Sequence, residues 1–316
     1  MSKHLILHAH CIPVRGKEQG AIYDLQKGSL MFIPNSMIDL IEYMRDESYH
    51  KTRKVVNSLA FFKEHVDFIL SNGLGFFTDH PQRFIALPDQ YHSPEEISTA
   101  VIEYGADKFD LKSVINELNM LRCKHIEFRY IDCNPDFSEL RTLIGYTNNS
   151  TIRSIELHLT QNEKISKVNL LGLAGEFKKL RTINVHNSAS ADYDFKNNIF
   201  FLESDWKTVE QKHFPHDVYI VNMKFFMESQ KFNTFYNQKV CISRDGYIKN
   251  SLLNVRHFGQ YSTNNTLTDV VRTDEFKKLW FISPDMIEEV KESETRYATL
   301  FSQDVELIDG KYHLIH

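Results

Sequence analysis

The hydrophobic and polar positions of this chain change rhythm twice. From His4 to Val14, "HLILHAHCIPV", apolar and polar residues partly alternate, which predicts a strand. Arg15–Gly16 breaks it. "AIYDLQKGSLMFIP" resumes the strand pattern, and the Lys27–Gly28 turn inside it predicts two short strands. Pro34 stops the run. Asn35 and Ser36 are N-cap candidates for a helix over "NSMIDLIEYMRDE", where Met37, Leu40, Ile41 and Met44 recur at helical spacing. "VVNSLAFFKEHVDFILSNG" predicts a second helix, with Asn72–Gly73 as its C-terminal cap. "GFFTDHPQRFIALP" closes the segment. Three strands followed by helices outline a small winged-helix-like module.

After the linker "PDQYHSPEE" the rhythm becomes strand–helix–strand. "ISTAVIEYG", "HIEFRYID", "IRSIELHLT" and "RTINVHNS" read as strands, with helices over "DLKSVINELNMLR", "PDFSELRTLIGYT" and "LLGLAGEFKKL" between them. "DVYIVNMKFFM" and "QKVCISRD" read as later strands. This alternation predicts parallel strands joined by crossover helices. About five or six strands are too few to close an eight-stranded barrel, so an open, incomplete β/α barrel is expected. The rhythm then changes again. "RDGYIKNSLLNVRHFGQ" reads as a hairpin and loop, "TDVVRTDEFKKLWFISPDMIEEV" as mostly helical, and "ELIDGKYHLIH" as a hairpin around Asp309–Gly310.

Composition narrows the class. A chain of 316 residues with 42% hydrophobic and 25% charged residues is ordinary for a globular protein of about two domains. A net charge of -5 gives no reason to expect nucleic acid or an anionic membrane as partner. No apolar run approaches the ~20 residues of a membrane span. Histidines interrupt the short apolar N-terminal stretch and no small-residue cleavage site follows it, so a cytoplasmic location is expected. Cys11, Cys123, Cys133 and Cys241 are far apart and form no Cys-x2-Cys pair. That fits free thiols in a reducing compartment and matches no spacing for zinc or an iron–sulfur cluster.

Two separated groups of residues carry a family resemblance. Near the N terminus they are Cys11, Pro13, Val14, Gly16, Ile22, Asp24, Leu25, Gln26, Ile33, Pro34 and Asn35. Near the other end they are Asp245, Gly246, Ile248, Lys249, Asn250, Gly259, Trp280, Ile282, Asp285, Ile287, Glu294, Arg296 and Tyr297. Together they resemble the radical-SAM/SPASM peptide maturases of grasp-with-SPASM systems and their pseudo-radical-SAM relatives. The resemblance implies an α/β fold in three parts. Residues 1–90 would be a winged-helix-like element recognising the leader of a ribosomal precursor peptide. Residues 91–240 would be the partial barrel, and 241–316 a SPASM-like region.

The departures from that family matter as much. Its auxiliary clusters are held by cysteines, and this chain has Ser251, Val290, Ser293, Thr299 and Ser302 at the corresponding places. The Cys-x3-Cys-x2-Cys of the radical-SAM cluster is absent from the whole sequence. Serine and threonine hydroxyls and a valine do not replace thiolates at iron. The expectation is therefore a cluster-less pseudo-enzyme of ribosomal peptide maturation, with no cofactor. It would bind a precursor leader and present it to an ATP-grasp ligase or a cluster-bearing maturase. The leader would add as a strand to an exposed sheet edge, expected at Ile22, Tyr23, Asp24 and Leu25. Phe61, His65 and Phe68 would lie on the adjoining helix, with Arg15 and Lys17 meeting acidic residues. "PVRG" also reads simply as a tight corner between strands.

Two other readings stand beside this one. By parity His4, His8 and His10 share a strand face next to Cys11, and His125, His158 and His186 lie in successive strands near Glu127 and Glu156. His8 and His10 are thus candidate zinc ligands, and His125, His158 and His186 with the nearby carboxylates are the candidate ligands of a cluster-independent metal enzyme acting on the same peptide. Alternatively the exposed sheet edge pairs with a second copy, giving a self-associating structural protein. Asp285, Glu288, Glu289, Glu292 and Glu294 read as an acidic helix face near Arg296, either solvated or docking a basic partner. "LLGLAGEF" lacks the pattern of a phosphate loop, and no Gly-x-Ser-x-Gly elbow occurs.

Overall fold

The structure is a computed structural model, and it describes residues 3–88, 90–105, 108–131, 133–206 and 217–315. The fold is mixed α/β, and its contacts divide the chain into two compact units. One comprises Met1–Tyr91, Phe214–Thr234 and Ile282–His316, and the other His92–His213 and Phe235–Phe281.

In the first unit β1 (His4–Leu7) pairs antiparallel with β5 (Gly75–Thr78). β2 (Cys11–Arg15), β3 (Gly20–Asp24) and β4 (Ser29–Ile33) form a separate antiparallel sheet in that order. The apparent single strand "HLILHAHCIPV" is thus two, broken at His8–His10. The corner at "PVRG" is tight: the Gly16 N–H donates to the Gln19 carbonyl at 2.9 Å. A Cβ on Gly16 would lie 2.6 Å from that carbonyl oxygen and 2.8 Å from the Glu294 nitrogen. At the next turn Asp24 Oδ1 accepts from the Gln26 and Lys27 N–H groups, and Gly28 follows at φ 69°.

Three helices follow: α1 (Asn35–Asp46), α2 (Tyr49–Val55) and α3 (Leu59–Ser71). The α1 cap position is Pro34, and Asn35 instead donates its side-chain amide to the Gly16 carbonyl. Ser58 caps α3, which ends at Asn72 and Gly73 as the sequence predicts. The core under these helices gathers Leu5, Cys11, Ile22, Ile38, Phe62 and Ile69. The opposite face of β3 is buried as well, where Ala21, Tyr23 and Leu25 pack with Phe226, Met227 and Ala298. A strand buried on both faces reads as a continuous apolar run, which "AIY" at its centre is.

"DVYIVNMKFFM" is not a strand. Asn222 accepts from the Phe225 N–H and starts helix α7 (Met223–Ser229), because a capping side chain outweighs the β-propensity of the residues before it. The C-terminal hairpin forms as expected, with β14 (Asp304–Ile308) and β15 (Lys311–Ile315) joined by Asp309 and Gly310 at positive φ. The acidic residues before it do not make a helix face. Pro284–Met286 is a single 3-10 turn, Glu288 pairs with Lys291 and Lys311, Glu289 with His313, and Asp285 with Arg296.

The second unit carries an eight-stranded sheet. Its strands are β6 (Thr99–Glu103), β7 (His125–Tyr130), β8 (Ser154–Thr160), β9 (Leu180–His186), β10 (Asp192–Asp194), β11 (Ile199–Phe201), β12 (Lys239–Ile242) and β13 (Ile248–Lys249). Six of them run parallel in the order β11-β9-β8-β7-β6-β12, with β10 and β13 antiparallel at the two edges. The crossovers are α4 (Leu111–Met120), α5 (Phe137–Gly145) and α6 (Lys167–Glu176), capped by Asp110, Asp136 and a Ser166–Asn169 capping box. Ile126, Phe128, Ile155, Leu157, Ile183 and Val185 are buried on one face of the sheet. The other face alternates with it and is polar. Two short helices, α8 (Leu267–Val271) and α9 (Asp274–Lys277), come near the end of this unit.

Candidate functional site

The first unit has sheet edges and a groove. β3 lies between β2 and β4, so its backbone groups are taken on both sides. Ile22, Tyr23, Asp24 and Leu25 are buried, and the Tyr23 hydroxyl donates to the Glu294 carbonyl at 2.7 Å. The expected free edge at these residues is therefore not there, and the edges are β2 and β4. Pro13 carried that signal in the sequence, since a residue without an N–H belongs on an edge strand.

The two edges differ in what they offer. The Leu25 N–H donates to the His10 carbonyl and the Gly16 N–H to the Gln19 carbonyl. With the register, this places the β2–β3 bonds at the even-numbered residues of β2. Cys11, Pro13 and Arg15 then face outward. Of their groups, Pro13 has no N–H, the Cys11 N–H is spent on His8, and the Arg15 carbonyl accepts from Arg296 at 2.8 Å. By the same parity Ser29, Met31 and Ile33 bond to β3, and Leu30 and Phe32 turn both backbone groups outward from β4. Among the described residues β4 has no strand beyond it, and Phe32 is 47% exposed.

A groove of about 1220 Å³ runs past β2, lined among others by Val14, Arg15, Arg45, Phe76, Arg83 and Phe84. Arg15 is already matched by Asp39 and Glu42, and Lys17 is exposed beyond the end of β2. On α3, the Phe61 ring lies tilted against His65 at 3.9 Å between centroids, His65 is buried, and Phe68 packs against the core. None of these three lines the groove.

The N-terminal histidines do not share a face, because the chain turns at His8 and His10, whose rings stack at 5.4 Å. His10 does meet Cys11 and Asp24, their ligand atoms lying within 4.8 Å of one another. Asp24 is already engaged there by two backbone N–H groups and by Lys27 at 3.4 Å. Burial pushes the Cys11 thiol up to about 11.

The polar sheet face of the second unit is the other candidate. Glu127 pairs with Glu156 and Arg129 with His158, and His158 pairs in turn with Asn184. Glu156 Oε1 accepts from Asn184 and lies 3.0 Å from His158 Nε2, while His158 Nδ1 lies 3.0 Å from His186 Nε2. Hydrogen bonding from His158 is the chief cause holding the Glu156 carboxyl below its ordinary range. Trp206 packs on both histidines, and the Arg129 guanidinium sits 4.7 Å over its ring. Burial brings His186 down to about 4. With Glu156 ionised, His158 donates from Nε2 and His186 donates to His158, so the series ends on the lone pair of His186 Nδ1, which is buried without a partner among the described residues. Both nitrogens of His158 are committed to this hydrogen-bonded relay of side chains. His125 stays apart at the start of β7, bonded to Ser154 at 2.8 Å.

Iron–sulfur clusters do not fit the residues present. Val290 is buried, Ser293 and Thr299 bond within their own turn through Thr295, and Ser251 is buried, so no thiolate stands at these positions. Cys123 and Cys241 are buried in the sheet unit, the first pushed up to about 12, and the four cysteines form no disulfide among the described residues.

No protein-family model matches the chain, and no curated protein matches it. Among solved structures it is similar to SuiB of Streptococcus suis, determined bound to S-adenosylmethionine. Identity is 11% over 87% of this chain and 89% of that chain, with a TM-score of 0.31. A likeness that weak transfers neither fold nor chemistry. No helix among the described residues is long and apolar enough to cross a membrane.

Proposed function

We propose that this chain is a non-catalytic peptide-binding pseudo-enzyme of a ribosomal peptide maturation system. It binds a precursor leader and hands it to a modifying partner, an ATP-grasp ligase or a cluster-bearing maturase. The two motif groups described above and the serine, threonine and valine residues at cluster positions support the assignment. In this reading residues 1–90 act as a winged-helix-like recognition element, 91–240 as a cluster-less barrel and 241–316 as a degenerate SPASM-like region.

The observation that carries the binding mode is β4. Leu30 and Phe32 turn two N–H and two C=O groups away from the sheet, the pattern that a peptide strand needs for addition. The β2 edge, short of donors at Pro13 and Cys11, suits side-chain contacts in its groove better than strand pairing.

Calorimetric titration of the intact protein with the short peptide encoded beside its gene tests the reading. Phe32→Pro removes an outward N–H, together with a half-exposed ring that meets Tyr219 edge-on at 6.4 Å, and leaves the β3 ladder intact; Phe32→Ala is the control for the ring. Phe32→Pro is expected to weaken binding about tenfold without lowering Tm. No binding by the wild type removes the leader-recognition reading. Binding unchanged by Phe32→Pro but lost in Arg83→Glu moves the peptide to the groove along β2. The relay ending at His186 favours a second reading, acid–base chemistry independent of any cluster. Turnover of the peptide by the purified chain, lost in His158→Gln, would establish it.

A further inference from the structure

Tyr104 directly follows β6 and Tyr130 ends β7, so two adjacent parallel strands deliver them side by side, with ring centroids 5.1 Å apart. Phe109 meets Tyr104 edge-on at 6.0 Å. With Tyr146 from the end of α5 these rings wall a cavity of about 450 Å³, a size ordinary for a small-ligand site. It opens at the C-terminal ends of β6 and β7, where α/β sheets place their ligands. Neither the groove, the β4 edge nor the histidine relay uses any of these residues.

Two features separate this cavity from a packing fault. Tyr130 is 1% exposed and its hydroxyl has no partner among the described residues. Buried hydroxyls are rarely left so, because losing water without a replacement is costly. The second feature is charge. Asp110 and Glu139 line the cavity, and none of the described lining residues is basic. Two helix N-termini point to the same region, each worth about +0.5 charge, a field that by itself would attract an anion. Asp110 caps α4 and Asp136 caps α5, however, so the free N–H groups are already answered by carboxylates. Of the carboxylates Asp110 and Glu139 lie in the lining, two negative charges against the two half-charges, while Lys112 and Lys164 act on Asp110 and Asp136 from outside it, so the balance within the lining favours a cation. Glu139 sits in the first turn of α5, exposed and with no ion pair among the described residues.

We infer that this aromatic cage binds an organic ammonium group, a protonated alkylamine of the lysine side-chain type. The ammonium N–H donates to the Tyr130 hydroxyl oxygen, Glu139 supplies the counter-charge, and the faces of Tyr104, Phe109 and Tyr146 supply cation–π attraction. The hydroxyl makes a primary ammonium the better guest than a quaternary one, which has no N–H to donate.

Ligand-observed NMR on the full-length protein tests this with n-butylammonium, tetramethylammonium and, as neutral control, n-butanol. Saturable binding of n-butylammonium, at least about tenfold tighter than n-butanol, is expected. Glu139→Gln and Tyr146→Ala change exposed positions and should each weaken both cations about fivefold. Tyr130→Phe should weaken n-butylammonium by a similar factor and leave tetramethylammonium unchanged. No saturable binding, equal binding of n-butanol, or indifference to Glu139→Gln and Tyr146→Ala overturns the proposal. So does an equal loss of both cations in Tyr130→Phe, since the hydroxyl would then not be the contact.

Discussion

His158 Nδ1 lies 3.0 Å from His186 Nε2, and the two rings stack nearly parallel at 5.3 Å between centroids. Strands β8 and β9 make this contact, and it fixes which nitrogen of each ring carries the proton. His186 is 1% exposed, and burial, with His158 and Arg129 beside it, brings its pKa from 6.5 to about 4. Asp205 acts in the opposite direction.

That depression makes stability depend on pH. The unfolded chain binds a proton at this histidine near pH 6.5, and the folded chain does so only near 4. Between those values the unfolded state holds more protons, so stability rises with pH and is lost on acidification through the window. The loss amounts to about 3 kcal/mol. Denaturant midpoints measured from neutral pH down to about pH 4 should fall in the wild type and fall much less in His186→Asn. Parallel curves for the two proteins would show that His186 is not buried as a neutral ring.

Gly16→Ala should destabilise the chain by about 1–3 kcal/mol. Its Cβ would meet the Gln19 carbonyl at 2.6 Å and the Glu294 nitrogen at 2.8 Å, both backbone atoms that cannot swing away. A thermal melt with Tm unchanged would mean that the corner after β2 is looser than this.

Thiol labelling under native conditions should modify Cys133 first. Cys11, Cys123 and Cys241 are buried while Cys133 is partly exposed, and burial raises all three buried thiols. The remaining three should react only when the protein unfolds. Rapid native labelling of Cys123, identified by peptide mass, would contradict its place beneath β7.

Anaerobic reconstitution with ferrous iron and sulfide should leave the protein without cluster absorbance, since no three cysteines satisfy a cluster spacing in the sequence. Stoichiometric iron with charge-transfer bands after desalting would overturn the cluster-less reading.

The sequence by itself determined the mixed α/β class and most of the elements. Capping residues set the helix starts at Ser58, Asp110, Asp136 and Ser166, glycines set the turns at Gly28 and Gly310, and period-two runs set the parallel strands. Such signals are local, acting within a few residues, and one chain suffices to read them. Pro13 marked β2 as an edge, and the tertiary structure decided that β3 is the interior strand and which side chains meet. "GAIYDL" looks like an available edge, but burial on both faces and pairing on both sides make it the middle of its sheet. Asn222 turned an apparent strand into α7, a local signal that the apolar run obscured. Tyr130 meets Tyr104 because sheet register brings them level, while Asp24, level with Cys11, meets the adjacent His10, and His186, level with Thr160, meets His158 diagonally across β8 and β9. Register depends on pairing between segments far apart in the chain, and no pattern within one segment encodes it.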